Sequence, residues 1–291
     1  MKTKASLLAV ALILSLLPGC SKTEQPQVAA TTLPVYQFAS ILCQGTDISV
    51  TRLVTESVSC LHDYSLNVSL VRAVESAQVV VLSGAGLEDF MDDLLENANA
   101  VIDSSNGIEL LTCEAHQEHD HSHHHHEADA HIWLSPANAK IMAFNICNGL
   151  CVQFPDHADT IRSNLTALHR RLDDLQAYGE NQLHALSCRN LLTFHDGFTY
   201  FAHAFNLTIL EAIEEESGSE VSAQELIHLI ELVESHGLPA IFTEAHGSVS
   251  AAAVIARETG AHSFALDMAM AGDDYFASMY HNIDTIREAL G

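Results

Sequence analysis

Four side chains able to bind a divalent metal, His62, His131, His195 and Asp267, each close a short apolar run. Their separations are 69, 64 and 72 residues. Spacing this even suggests two similar halves, each giving two ligands from loops at strand ends. Imidazole is largely neutral at pH 7 and is the commonest metal ligand in proteins. Between the first two candidates lies a second histidine source: His116, His119, His121, His123, His124, His125 and His126. This run could form an auxiliary, weaker metal-binding loop, because spatially loose ligands lose entropy when they bind. The chemistry these residues point to is the handling of metal ions.

The elements that must position them follow from hydrophobic periodicity. Ile48–Val54, Val79–Leu82 and Val101–Ile102 read as strands, and Val35–Leu42, Ser69–Ala77, Leu87–Asn97 and Pro136–Cys151 as helices. The second half repeats the alternation. Strands are expected near Leu191–Phe194, Leu207–Ala212, Ala240–Thr243 and Ser263–Leu266, and helices near Phe198–Phe205, Ser222–Ser235, Val249–Glu258 and Asp274–Leu290. Alternation of this kind implies α/β architecture, with parallel sheets covered by helices. Between the halves, residues 155–186 contain no proline after Pro155, and Leu165, Leu168, Leu172 and Leu175 recur at helical spacing. One helix of roughly 30 residues, about 45 Å long, can therefore join two lobes. The acidic and histidine-rich stretch 112–130 offers almost nothing to bury and reads as a mobile loop.

Composition narrows the setting. The net charge of −26 argues against nucleic acid and anionic lipid as direct partners, because both need a basic surface. Residues 1–19 read as a signal peptide: Lys2 and Lys4 precede an apolar stretch too short to span a bilayer. The sequence Leu17-Pro18-Gly19-Cys20 resembles a bacterial lipoprotein cleavage site, with Cys20 the lipidated residue and residues 20–27 a tether. An exported chain permits disulfides. Of Cys43, Cys60, Cys113, Cys147, Cys151 and Cys188, the first two bracket one strand and are the favoured pair. Cys147 and Cys151 share a helix face and read as small buried residues.

Around the candidate ligands the chain reads HDYSL at His62–Leu66, GAGLE at Gly84–Glu88, HIWLSP at His131–Pro136, FHDGFTYFA at Phe194–Ala202 and IARETGA at Ile255–Ala261. In these motifs, which run in order along nearly the whole mature chain, it resembles the periplasmic zinc-binding proteins of ABC importers. The resemblance implies that His62, His131 and His195 bind the metal. Manganese-selective relatives usually carry a carboxylate at the position of His195, and three imidazoles favour the softer zinc ion. The fourth ligand is Asp267 or a water, since Leu61 stands where some zinc-binding members place a carboxylate. Glu244-Ala245-His246 replaces the usual Glu-Pro-Gln, and His246 is expected outside the ligand set.

The function implied is a high-affinity, extracytoplasmic Zn2+-binding lipoprotein that feeds an ABC permease with a separate ATPase subunit. It would be a monomer, anchored through lipid on Cys20, at the cell surface or in the periplasm. The expected layout is an N-terminal lobe over residues 28–152, a connecting helix over 153–187 and a C-terminal lobe over 188–291, with the metal in the interlobe cleft. Manganese binding within the same family, zinc-dependent hydrolysis and surface adhesion are the rival readings. Against hydrolysis, the chain has no HExxH motif and shows no separate general base.

Overall fold

The computed structural model describes residues 26–55, 61, 64, 66–111, 128–213, 221–244, 250–270 and 272–291. The first half begins with β1 (Val28–Ala30), followed by α1 (Leu33–Leu42), β2 (Val50–Arg52), α2 (Val68–Ser76) and β3 (Val79–Leu82). It continues with α3 (Asp92–Leu95), β4 (Val101–Asp103) and α4 (Pro136–Gln153). Then come the long α5 (Ala158–Leu183), β5 (Asn190–Thr193), α6 (Thr199–Ala204), β6 (Thr208–Ala212) and α7 (Ala223–His236). The chain closes with β7 (Ala240–Glu244), α8 (Ser250–Thr259), β8 (His262–Leu266) and α9 (Tyr275–Leu290).

The strands form two four-stranded parallel sheets, ordered β2-β1-β3-β4 and β6-β5-β7-β8. The two orders are the same arrangement repeated, as the even ligand spacing suggests. Side-chain alternation divides each sheet between two cores. Val28, Ala30, Val79 and Val81 face a large cluster shared with α1, α4, α5 and α9, while Ala29, Val80 and Leu82 pack with Leu70 and Val74 of α2. In the second sheet, Leu192 and Ile241 pack with Leu229 and Val233 of α7 and Ile255 of α8. The large cluster includes residues from both halves.

Helix α5 is 26 residues long, about 39 Å at 1.5 Å per residue. It starts after Pro155–His157, which form a 3-10 turn. Leu168, Leu172, Leu175 and Leu183 are buried along one face, and Gly179 lies against the ring of Phe205, where a Cβ would come within 2.2 Å of Cε1. Any larger residue there would push Phe205 out of the core.

Three sequence expectations change. The helix expected over Leu87–Asn97 shrinks to a 3-10 turn at Asp89–Met91 and the four-residue α3. Its residues include Asp89, Asp92, Asp93 and Asn97, which compete with the helical backbone for hydrogen bonds. It is preceded by Gly84, Ala85 and Gly86, all at positive φ, and Glu88 turns inward. The end of the expected mobile stretch, Asp129 and Ala130, is buried, because Asp129 is tied to His131. Cys43 is buried with a free thiol, its pKa pushed up to about 12 by burial, so the expected pairing with Cys60 is not made. Cys60 itself lies outside the described residues. Cys147 and Cys151 do share a face of α4, and burial raises the Cys147 thiol to about 12. Among the described residues no helix is long and apolar enough to cross a membrane.

Candidate metal centre

The candidate site lies where the C-terminal ends of strands in the second sheet meet the segment entering α4. Phe194 extends β5 by donating its N–H to the Phe242 carbonyl at 2.9 Å, and His195 follows at once. His131 precedes a 3-10 turn, Ile132–Leu134, after which Ser135 caps α4 by accepting from the Asn138 N–H and Pro136 occupies its first turn. Proline costs nothing there, because its missing N–H would have no helical partner. Asp267 follows β8. Its backbone is pinned by Asn282 of α9, which accepts from the Asp267 N–H at 2.8 Å and donates to its carbonyl at 2.6 Å.

His131 is only 3% exposed. Asp129 Oδ1 accepts from its backbone N–H and stands 2.8 Å from its ring Nδ1. Burial pushes the Asp129 carboxyl up, but hydrogen bonds and charge from His131 outweigh this and hold it below the usual carboxylate range. A carboxylate can only accept, so Nδ1 carries the proton and Nε2 keeps its lone pair free for a metal. That Nε2 faces His195 Nε2 at 3.5 Å, with the rings nearly perpendicular at 86° and their centroids 5.1 Å apart. The separation is long for a hydrogen bond. It suits a shared ion, since two imidazole nitrogens each about 2.05 Å from a tetrahedral zinc lie about 3.3 Å apart.

The surroundings hold this pair in place. Trp133 is fully buried, packs edge-on against His131 at 5.3 Å and donates Nε1–H to the Met268 carbonyl at 2.8 Å. A Cβ on Gly197 would come within 2.5 Å of Met268 Cε, 2.8 Å of His195 Cδ2 and 2.9 Å of His131 Nδ1. Gly197 thus lets the two imidazoles and Met268 close on one another. Asp267, partly exposed, accepts from Ala269 N–H at 2.8 Å through Oδ1 and from the Ser278 hydroxyl at 2.7 Å through Oδ2.

Sequence reasoning missed two carboxylates. Asp129 is hidden in the acidic histidine-rich run, and only its place two residues before His131 could have marked it. Glu244 ends β7 and looks like the polar terminus of a strand, yet it is only 8% exposed. Burial raises its pKa to about 7, with the positive field of His131 opposing and the charge of Asp267 adding to the shift.

The structure therefore brings His131 and His195 together, with Asp267 near enough for its charge to reach Glu244. His62 lies outside the described residues, although Leu61 beside it is fully buried and its carbonyl accepts from Tyr64 N–H. Among the described residues no group of three His, Cys, Asp or Glu side chains is close enough to hold a metal. His116, His119, His121, His123, His124, His125, His126, His246 and Cys20 also lie outside them. The ends of the histidine-rich segment meet, since Asp129 N–H donates to the Leu111 carbonyl at 2.9 Å. The segment thus leaves and returns within a few residues of His131.

The chain is similar to known proteins over most of its length. Residues 28–289 match the family model described as ZnuA, zinc-uptake complex component A, periplasmic. A crystal structure of ZnuA superposes with a TM-score of 0.79 at 31% identity, covering 91% of this chain and 99% of that one. A candidate metal-binding protein of Treponema pallidum (strain Nichols) is 27% identical over 300 residues, 97% of this chain and 95% of its own length. The zinc-binding lipoprotein AdcA of Streptococcus pneumoniae (strain ATCC BAA-255 / R6) is 26% identical over 306 residues, 98% of this chain. This chain spans only 60% of that protein's length.

Proposed function

Since this chain belongs to the family of periplasmic zinc-uptake component A, we propose that it captures Zn2+ outside the cytoplasm and hands it to an ABC permease driven by a separate ATPase. The observation that carries this reading is the 3.5 Å approach of His131 Nε2 to His195 Nε2, with Asp129 fixing the proton on the far side of the His131 ring. Two imidazole nitrogens aimed at one point suit a borderline-soft dication better than manganese, which prefers oxygen. His62 would supply the third imidazole, and a carboxylate such as Asp267 or a water would complete a tetrahedral site. Zinc is cargo here, held and released unchanged.

Residues 20–27 would tether a monomer to the membrane through lipid on Cys20, and residues 116–126 would act as an auxiliary zinc-collecting loop. The lobes would be residues 28–152 and 188–291, joined by the helical segment 153–187. Release would follow a small shift between lobes when the permease engages them.

The test is titration of zinc into metal-free protein lacking any His-tag, alongside His131→Ala and His195→Ala. One tight site is expected, lost in both variants, and zinc at 1,000 times its dissociation constant should add about 4 kcal/mol of stability. A melting temperature that does not move between chelated and zinc-loaded protein would overturn the reading.

A further inference from the structure

Helix α4 is apolar on two sides. Its inner face buries Ala139, Met142, Ala143, Ile146, Cys147 and Leu150. Its outer face carries Ala137, Ile141, Phe144, Asn148 and Val152, all exposed and three or four apart, which makes one stripe about 22 Å long. Ile141 is 36% exposed, Phe144 49% and Val152 76%. The chain has a net charge of −26, yet the 18 residues of this helix include no Asp or Glu. Their single charge, Lys140, is paired with Asp173 of α5. A helix that is apolar all round calls for cover on both sides, and the absence of acid on the outer face favours an uncharged, apolar partner.

The histidine-rich segment does not fit this stripe, because residues 114–127 contain one apolar side chain, Ala115. A second copy of the chain is disfavoured by size. A specific protein interface uses roughly 20–30 residues a side, several times what the stripe offers. The place where the described chain begins points to the bilayer instead. The Gln27 carbonyl accepts from Gln78 N–H at 3.0 Å, and Gln78 Nε2 donates to the Gln153 carbonyl at 3.2 Å, beside Val152. Pro26, Gln27 and Gln153 line one surface hollow. From Cys20 to Pro26 the chain reaches at most about 20 Å, so a lipid on Cys20 would hold the end of α4 within that distance of the membrane. Tethering makes the second contact intramolecular, and a few apolar side chains then suffice. Resting on the lipid-anchor reading above, we propose that the outer stripe of α4 lies on the bilayer, with Phe144 and Val152 at the boundary of headgroups and acyl chains.

A tryptophan in the stripe reports contact with lipid directly. The full lipidated chain is placed in phosphatidylcholine vesicles whose acyl chains carry bromine, which quenches indole emission on contact. Phe144→Trp is compared with Ile227→Trp, which marks an equally exposed apolar position on α7, and with the parent, whose Trp133 is fully buried. Phe144→Trp should lose emission and shift to the blue, while Ile227→Trp and the parent should not. Adding Val152→Glu to Phe144→Trp should restore the lost emission, since it puts a charge into the stripe. Quenching of Phe144→Trp no greater than that of Ile227→Trp overturns the proposal. A blue shift without quenching, growing as more protein is loaded per vesicle, would mean that a second copy covers the stripe, and overturns it as well. A mature chain that carries no acyl group by mass and does not float with vesicles overturns the lipid-anchor reading itself, a separate outcome.

Discussion

Tyr275 donates its hydroxyl proton to the carbonyl of Trp133 at 2.8 Å, joining α9 to the turn that follows His131. The bond lies in a dry environment: both residues are fully buried, and burial pushes the Tyr275 phenol well above its ordinary range. Trp133 is held from its other end too, through Nε1–H to Met268. The wall behind His131 is therefore built across the two halves. Gln37 of α1 strengthens the same junction by accepting from Tyr275 N–H at 2.6 Å and donating to Asp274 at 3.1 Å.

Tyr275→Phe keeps the ring, which packs edge-on against Phe38 at 5.1 Å, and deletes only the donor. The Trp133 carbonyl is then left without this partner in a buried place. A loss of about 1–2 kcal/mol is expected in urea unfolding of the metal-free protein. A variant as stable as wild type would mean that water or a shifted donor replaces the hydroxyl.

Gly197→Ala tests how tightly the site is closed. Backbone strain is not the issue, since Gly197 is not among the positive-φ residues. The added methyl would have to displace Met268, His195 or His131, and the two imidazoles would spread. Zinc affinity should fall about 10- to 100-fold, the range seen when ligand-orienting groups are disturbed. Unaltered affinity would show that Met268 alone yields, since its flexible side chain can repack.

Glu88 makes the pH dependence of stability readable. It is fully buried and accepts from the Thr31 hydroxyl at 2.6 Å, Ser83 N–H at 2.8 Å and Gly84 N–H at 2.9 Å. Burial nevertheless outweighs these donors and raises its pKa from 4.5 to about 7. The folded state therefore holds a proton that the unfolded state has lost between those values. By linkage, its contribution to stability is greatest below about pH 4.5, declines as pH rises to about 7, and is flat above, a span of about 3 kcal/mol. Glu88→Gln cannot titrate. The stability difference between wild type and variant, followed from pH 4.5 to 8 by denaturant unfolding, should slope in favour of the variant as pH rises. Parallel curves would mean that Glu88 is ionised throughout.

Much of this architecture is legible in the sequence because the apolar runs are short, regular and separated by helical periods. Val79–Leu82 is read to the residue, and His131 and His195 are placed together from their motifs. Strand β1 is harder to see, since Val28–Ala30 offers three residues, too few for alternation to show, yet it is central and fully buried. Asp129 and Glu244 escape for a different reason. Their roles come from burial against residues distant in the chain or hidden inside an acidic stretch, and charge patterning alone reads both as solvated.

The last prediction concerns the histidine-rich segment. Its ends are pinned together where Leu111 accepts from Asp129 N–H, and Leu111 N–H donates in turn to the Tyr200 hydroxyl at 2.9 Å. A segment closed at its base can be shortened without pulling on the sheet, because closing a shorter flexible loop changes entropy only slowly with length. Deleting residues 114–127 leaves Ala128, Asp129 and His131 in place, so the orientation of the His131 ring should survive. One tight zinc site should remain, while one or more weaker sites disappear from a calorimetric titration. Loss of the tight site in the deletion would put the principal ligands in the loop and overturn their assignment to the cleft.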